Sequence, residues 1–102
     1  MERRADLHLH TTASDGLLSP SAVVEAAAEA GLVAVAITDH DTVAGVQEAL
    51  EAGERLGVEV LPGVEISTLY GVRTEVHVLG YFLDYRSEPL IAALRTLEMA
   101  RF

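Results

Sequence analysis

The run Val33-Ala34-Val35-Ala36-Ile37-Thr38 carries no polar side chain before its last residue. A short, uninterrupted apolar run of this kind matches a strand buried on both faces of a parallel sheet. Such a sheet needs covering helices, and helical patterns flank the run. Before it, Ser19 reads as an N-cap with Pro20 in the first turn, Val23, Val24, Ala27 and Ala28 form an apolar stripe, and Gly31 ends the helix. After it, Asp39-His40-Asp41-Thr42 opens a second helix, capped by Asp41 or Thr42. Val43, Val46, Leu50 and Leu56 recur there at helical spacing, and Gly57 ends the pattern.

Ala5-Asp6-Leu7-His8-Leu9-His10 alternates strictly and predicts a strand with Leu on one face and His on the other. Thr11 to Ser19 has loop composition around Asp15-Gly16. Val58 to Thr68 predicts a third strand interrupted by Pro62-Gly63, and Glu75 to Phe82 a fourth. The last two are close enough for a hairpin, with parallel pairing as the alternative. A third helix starts near Ser87-Glu88-Pro89 and turns Leu90, Ile91, Leu94 and Leu97 inward. Strand, helix, strand, helix, strand, strand, helix is the opening of a wound α/β architecture. Arg95 to Phe102 remains helical in pattern with no stop signal, and a closed (β/α) barrel takes about 250 residues. The expectation is that residues 1–102 form the N-terminal half of one longer domain.

Charge narrows the partners. Sixteen Asp and Glu face seven basic residues, all Arg, for a formal charge of −9. That balance disfavours a phosphate clamp on long duplex nucleic acid and favours a site that gathers cations. No apolar stretch reaches the roughly 20 residues of a membrane span, and Met1 to Asp6 opens no signal-peptide block. With no Cys, disulfides, thiolate metal sites and thiol catalysis are excluded. A soluble, cytoplasmic chain is expected, without a membrane partner.

The polar residues that interrupt strands are the chemical candidates. His8 and His10 lie two apart on a strand and so project from one face near its C-terminal end, where α/β barrels assemble their sites. A solvent-facing edge strand would carry the same pair. Asp15 is an Asp-Gly turn by itself and a ligand only in company. His40 sits at the end of the apolar run as His10 does at the end of its own strand, and Asp39 beside it is placed to orient an imidazole. Glu65 breaks an apolar strand on the face opposite Val64 and Ile66, where a carboxylate must be paired or metal-bound unless that face is wet. His77 shares a face with Glu75 and Leu79. Together His8, His10, Asp15, His40, Glu65 and His77 offer nitrogen and oxygen donors without thiolate, a set suited to Mn, Fe or Zn and large enough for two or more ions.

In order, Asp6-Leu7-His8-Leu9-His10-Thr11-Thr12-Ala13-Ser14-Asp15-Gly16, Ile37-Thr38-Asp39-His40-Asp41-Thr42, Pro62-Gly63-Val64-Glu65-Ile66-Ser67-Thr68 and Glu75-Val76-His77-Val78-Leu79-Gly80 resemble the PHP (polymerase and histidinol phosphatase) family. The likeness is greatest to its stand-alone members similar to 3′,5′-nucleoside bisphosphate phosphatases, some of which trim RNA 5′ ends. It implies a distorted seven-stranded (β/α) barrel holding three divalent ions, Mn²⁺ favoured. His8, His10 and Glu65 would serve one ion, Glu65 would bridge to a second bound by His77, and Asp15 and His40 would serve the third. The family's later His and Asp-x-His ligands lie beyond residue 102, so the chain alone is expected to be inactive and, with open strand edges, to self-associate. The implied activity is phosphate monoester hydrolysis on small nucleotides or nucleic-acid 5′ ends by a metal-activated hydroxide, with no side-chain nucleophile. Two rivals stand: a metal-stabilised, non-catalytic PHP module, and an amidohydrolase-like barrel, against which the absence of Lys argues.

Overall fold

The computed structural model describes residues 3–70 and 74–100, without the side chains of 67–70, 74–77 and 98–100. The apolar run becomes β2 (Leu32–Ile37), central between β1 (Arg4–Leu9) and β3 (Glu59–Tyr70), with both pairings parallel. β4 (Thr74–Tyr81) lies antiparallel beyond β3, in the sheet order β1-β2-β3-β4. The helices are α1 (Pro20–Glu29), α2 (Val46–Leu56) and α3 (Glu88–Ala100). The hairpin reading of the third and fourth strands is the observed one.

β3 differs from its expected form. Pro62-Gly63 does not interrupt it; the strand changes partner there. Ile37 pairs with Pro62 at the end of the parallel ladder, and the antiparallel ladder begins at Gly63 opposite Tyr81. Proline has no N–H to give a ladder, so the handover falls where it costs least. Gly63 is required by space: a Cβ there would lie 2.9 Å from both the Gly80 carbonyl oxygen and Thr38 Cγ2.

The sheet curls. The Tyr81 hydroxyl on β4 donates to the Leu7 carbonyl on β1 at 2.7 Å, joining the two outermost strands of the sheet. The convex face carries two apolar clusters. One packs α1 and α2 on β2 and the start of β3, through Val23, Val24, Ala49, Val35, Ile37 and Val60. The other packs Val43 and Val46 on Val64 and α3, through Leu94 with Leu90, Ile91 and Leu97 beside it. Among the described residues the helices thus cover one face rather than both, and the concave face carries His8, His10 and Glu65.

α1 starts as expected: the Ser19 hydroxyl accepts from the Ala22 N–H. Ser19→Ala should cost about 1 kcal/mol, read as a lower urea midpoint at unchanged slope. α2 does not start as expected. Neither Asp41 nor Thr42 caps it; the N-cap is Gly45, with no side-chain bond. Asp41 adopts φ 51, the left-handed region, because its N–H is held by the Glu65 carbonyl at 2.9 Å while the chain must turn away toward α2. The Thr42 hydroxyl accepts from the Ala44 N–H in a local turn instead.

Candidate metal centre

Three chain segments meet on the concave face. β1 delivers His8 and His10 at its C-terminal end, β2 continues into Asp39-His40, and β3 brings Glu65 alongside. The backbone fixes the meeting point. The Thr38 N–H donates to the Leu9 carbonyl at 2.8 Å, and the Glu65 N–H to the Asp39 carbonyl at 3.0 Å. His40 and Glu65 therefore form an isolated parallel bridge just past the end of β2. Alternation along β3 turns Val64 to the helices and Glu65 to the concave side.

Glu65 is only 4 % exposed and is the hub of the cluster. Its Oε1 lies 2.5 Å from His8 Nε2 and 2.9 Å from His10 Nε2. Its Oε2 lies 3.5 Å from His40 Nδ1. Asp15, 63 % exposed at its side chain, reaches back from the loop: Oδ1 is 2.9 Å from His10 Nδ1 and Oδ2 is 3.1 Å from His40 Nε2. The His10 and His40 rings stack edge to face, with centroids 4.3 Å apart. Burial is the strongest influence on the Glu65 carboxyl and pushes its pKa up. Hydrogen bonds from His10 and His8 and the charges of His40 and His10 together outweigh it, and the net shift is downward.

Two donor groups follow, His8–His10–Glu65 and His10–Asp15–His40, each with ligand atoms within 4.8 Å of one another. Imidazole nitrogen and carboxylate oxygen without sulfur fit Mn, Fe or Zn. His10 is common to both, and a neutral imidazole has one lone pair. With its Nδ1 proton on the Asp15 side, a neutral His10 would turn the Nε2 lone pair to an ion, in place of the hydrogen bond that Nε2 makes to Glu65 without one. Asp15 then fixes the tautomer of one ligand while facing His40 with its other oxygen.

Five of the six expected ligands are thus brought together. His77 pairs with Ser67 in the β3–β4 ladder, but its side chain lies outside the described residues. Asp39 corrects an expectation. It does not orient an imidazole; being one residue from His40 on extended chain, its side chain points the other way. Its carboxylate accepts from the Thr11 N–H at 2.6 Å, the Thr11 hydroxyl at 2.8 Å and the Ser14 hydroxyl at 2.7 Å. Thr11, fully buried, had no signal in the sequence beyond loop composition.

The chain has recognisable relatives among known proteins. A family model described as PHP domain matches residues 6–96. The chain is 41 % identical over 101 residues to a 5′-3′ exoribonuclease of Haemophilus influenzae, covering 99 % of the chain and 36 % of that protein. It is 40 % identical over 96 residues to a 3′,5′-nucleoside bisphosphate phosphatase of Chromobacterium violaceum, covering 94 % of the chain and 33 % of that protein. A solved structure from Bifidobacterium adolescentis, described as a metal-dependent phosphoesterase, superposes with a TM-score of 0.87 at 39 % identity, covering 97 % of the chain and 34 % of that structure. The chain spans about a third of the length of these relatives.

Proposed function

The chain belongs to the PHP domain family, and from that premise we propose that it supplies the first-half ligands of a metal-dependent phosphoesterase. The observation that carries this reading is the buried carboxylate of Glu65, set among three imidazoles on the concave face. His8, His10 and Glu65 would hold one ion, and Asp15 with His40 another, with His77 added on the resemblance. Mn²⁺ is our assignment for the native ion, one of those the thiolate-free donor set fits, with a cytoplasmic setting.

Bound divalent ions would neutralise phosphate charge and lower the pKa of a water. The chain's own residues do the preparatory work. Glu65 keeps negative charge at the back of the site at neutral pH, since its carboxyl titrates below the ordinary range. Asp15 accepts a hydrogen bond from His10 Nδ1–H, which keeps the proton on Nδ1 and would leave Nε2 for an ion. His8, half exposed, stands at the open side where a phosphorylated substrate enters. Small nucleotides and RNA 5′ ends are the proposed substrates, supported by what the relatives named above act on.

The test measures metal content and p-nitrophenyl phosphate hydrolysis with Mn²⁺, on this chain and on the protein at its relatives' full length. Metal uptake by both with turnover only at full length is the expected result. Uptake without any phosphoester turnover would favour the non-catalytic module. A chain that binds no divalent metal would sink the ligand assignment.

Self-association is the accompanying proposal. β1 is the sheet's outer strand among the described residues, and Leu7, Leu17, Leu18 and Val33 are exposed near it. A cleft of about 500 Å³ lined by Leu9, Leu17, Leu18 and Val23 opens there. Light scattering of the chain should report dimers or larger species; a monodisperse monomer at high concentration would count against this.

A further inference from the structure

The exposed carboxylate at the centre of the second donor group needs something to hold it. Asp15 is 63 % exposed, so packing does not fix its rotamer, yet it reaches two imidazoles at once. What is fixed is the backbone that carries it. The Thr11 carbonyl accepts from the N–H groups of Ser14 and Gly16, and the Thr11 hydroxyl accepts from the Ala13 N–H, so residues 11–16 wind around Thr11. Thr11 in turn is bolted down by Asp39, and so is Ser14. The Asp39 carboxylate is 1 % exposed and faces three donors across 25 to 28 residues of sequence. A buried carboxylate is costly unless its oxygens are filled, and here all three bonds go to one loop.

We propose that Asp39 is a positioning residue: by clamping Thr11 and Ser14 it holds Asp15 between His10 and His40 and so sets the ion affinity of that group, an inference that rests on the metal reading above. A carboxylate suits the task because every partner is a donor. Asp39→Asn removes the charge that strengthens all three bonds, and its NH₂ group can face the Thr11 hydroxyl only with that bond reversed, onto an oxygen that also accepts from Ala13. The clamp on the loop weakens while the residue keeps its shape.

Co²⁺ titration of the 102-residue chain by calorimetry tests this with Asp39→Asn, Asp15→Asn and the double variant. Supporting residues of this kind change metal affinity about 10- to 100-fold, and a loss in that range is expected for Asp39→Asn. Where Asp15 is already Asn, the same change should cost about twofold at most, because the residue it acts through is gone. In the metal-free protein, amide hydrogen exchange at Ser14 and Gly16 should quicken about tenfold or more. Should Asp39→Asn fail to fold, Ser14→Ala removes one tie and should show the same background dependence. An equal loss in both backgrounds overturns the proposal in favour of a general structural role. Normal Co²⁺ uptake by an indifferent Asp39→Asn overturns it alone, whereas a wild-type chain that takes up no Co²⁺ overturns the metal reading as well.

Discussion

Glu65→Gln is expected to lower the affinity of the chain for Mn²⁺ or Co²⁺ by roughly 100-fold or more, beyond what loss of a mere supporting partner costs. The substitution preserves volume at a buried position and removes the one negative charge that three imidazoles share. Neutral nitrogens alone leave the charge of an ion in the His8–His10–Glu65 group uncompensated. Calorimetric titration reads the change, and affinity within threefold of wild type would show that Glu65 is not a ligand. The same variant tests the metal-free protein. The Glu65 carboxyl titrates below its ordinary value of 4.5, because histidine bonds and charges outweigh burial. A carboxyl with a depressed folded pKa contributes stability that is full above the unfolded value and is lost as pH falls through the folded one. The urea midpoint difference between wild type and Glu65→Gln should therefore be larger at about pH 6 than at about pH 3. An equal difference at both values would contradict the assigned direction.

Gly16→Ala is expected to cost about 2 kcal/mol of stability and about tenfold in Co²⁺ affinity. A Cβ at Gly16 would sit 2.6 Å from the His10 carbonyl oxygen and 2.7 Å from both His10 C and Thr11 N. These are backbone atoms of the strand end that carries a ligand, so no side chain can swing aside. Relief requires moving the loop that bears Asp15, or the end of β1 that bears His10. Gly31 and Gly57 are the controls. Both have positive φ and open space around the absent Cβ, so their replacement costs only backbone preference, about 1 kcal/mol. Urea unfolding of the three alanine variants separates the cases. A Gly16→Ala chain with the wild-type midpoint would disprove the packing account.

Much of this was legible beforehand because it depends on local pattern. The Leu/His alternation of residues 5–10 placed His8 and His10 on one face, and the carboxylate of Glu65 inside the apolar stretch of β3 marked the concave side. The Ser19-Pro20 and Gly57 signals matched the ends of α1 and α2. What escaped depends on partners distant in sequence. Asp41 and Thr42 have capping side chains, yet the bond between Asp41 N–H and Glu65 O draws the chain into a left-handed turn and delays α2 to Val46. Asp39 sits beside a histidine in sequence but serves Thr11, 28 residues away. Pro62-Gly63 carries the composition of a break, and only the arrival of β4 makes it a change of partner.

That change of partner divides the molecule into two blocks. Up to Pro62, β3 belongs with β1, β2 and the cluster under α1; from Gly63 it belongs with β4 and the cluster under α3, and α2 bridges the two, with Ala49 in the first, Val46 in the second and Leu50 packed against both. His8 and His10 ride on the first block and Glu65 on the second. An ion held by all three is then a rivet across a seam, and its binding energy is transmitted to the cohesion between blocks rather than to either core. Loading the site should slow opening of the β3–β4 hairpin relative to β2, so that two sets of amides with different exchange rates merge into one.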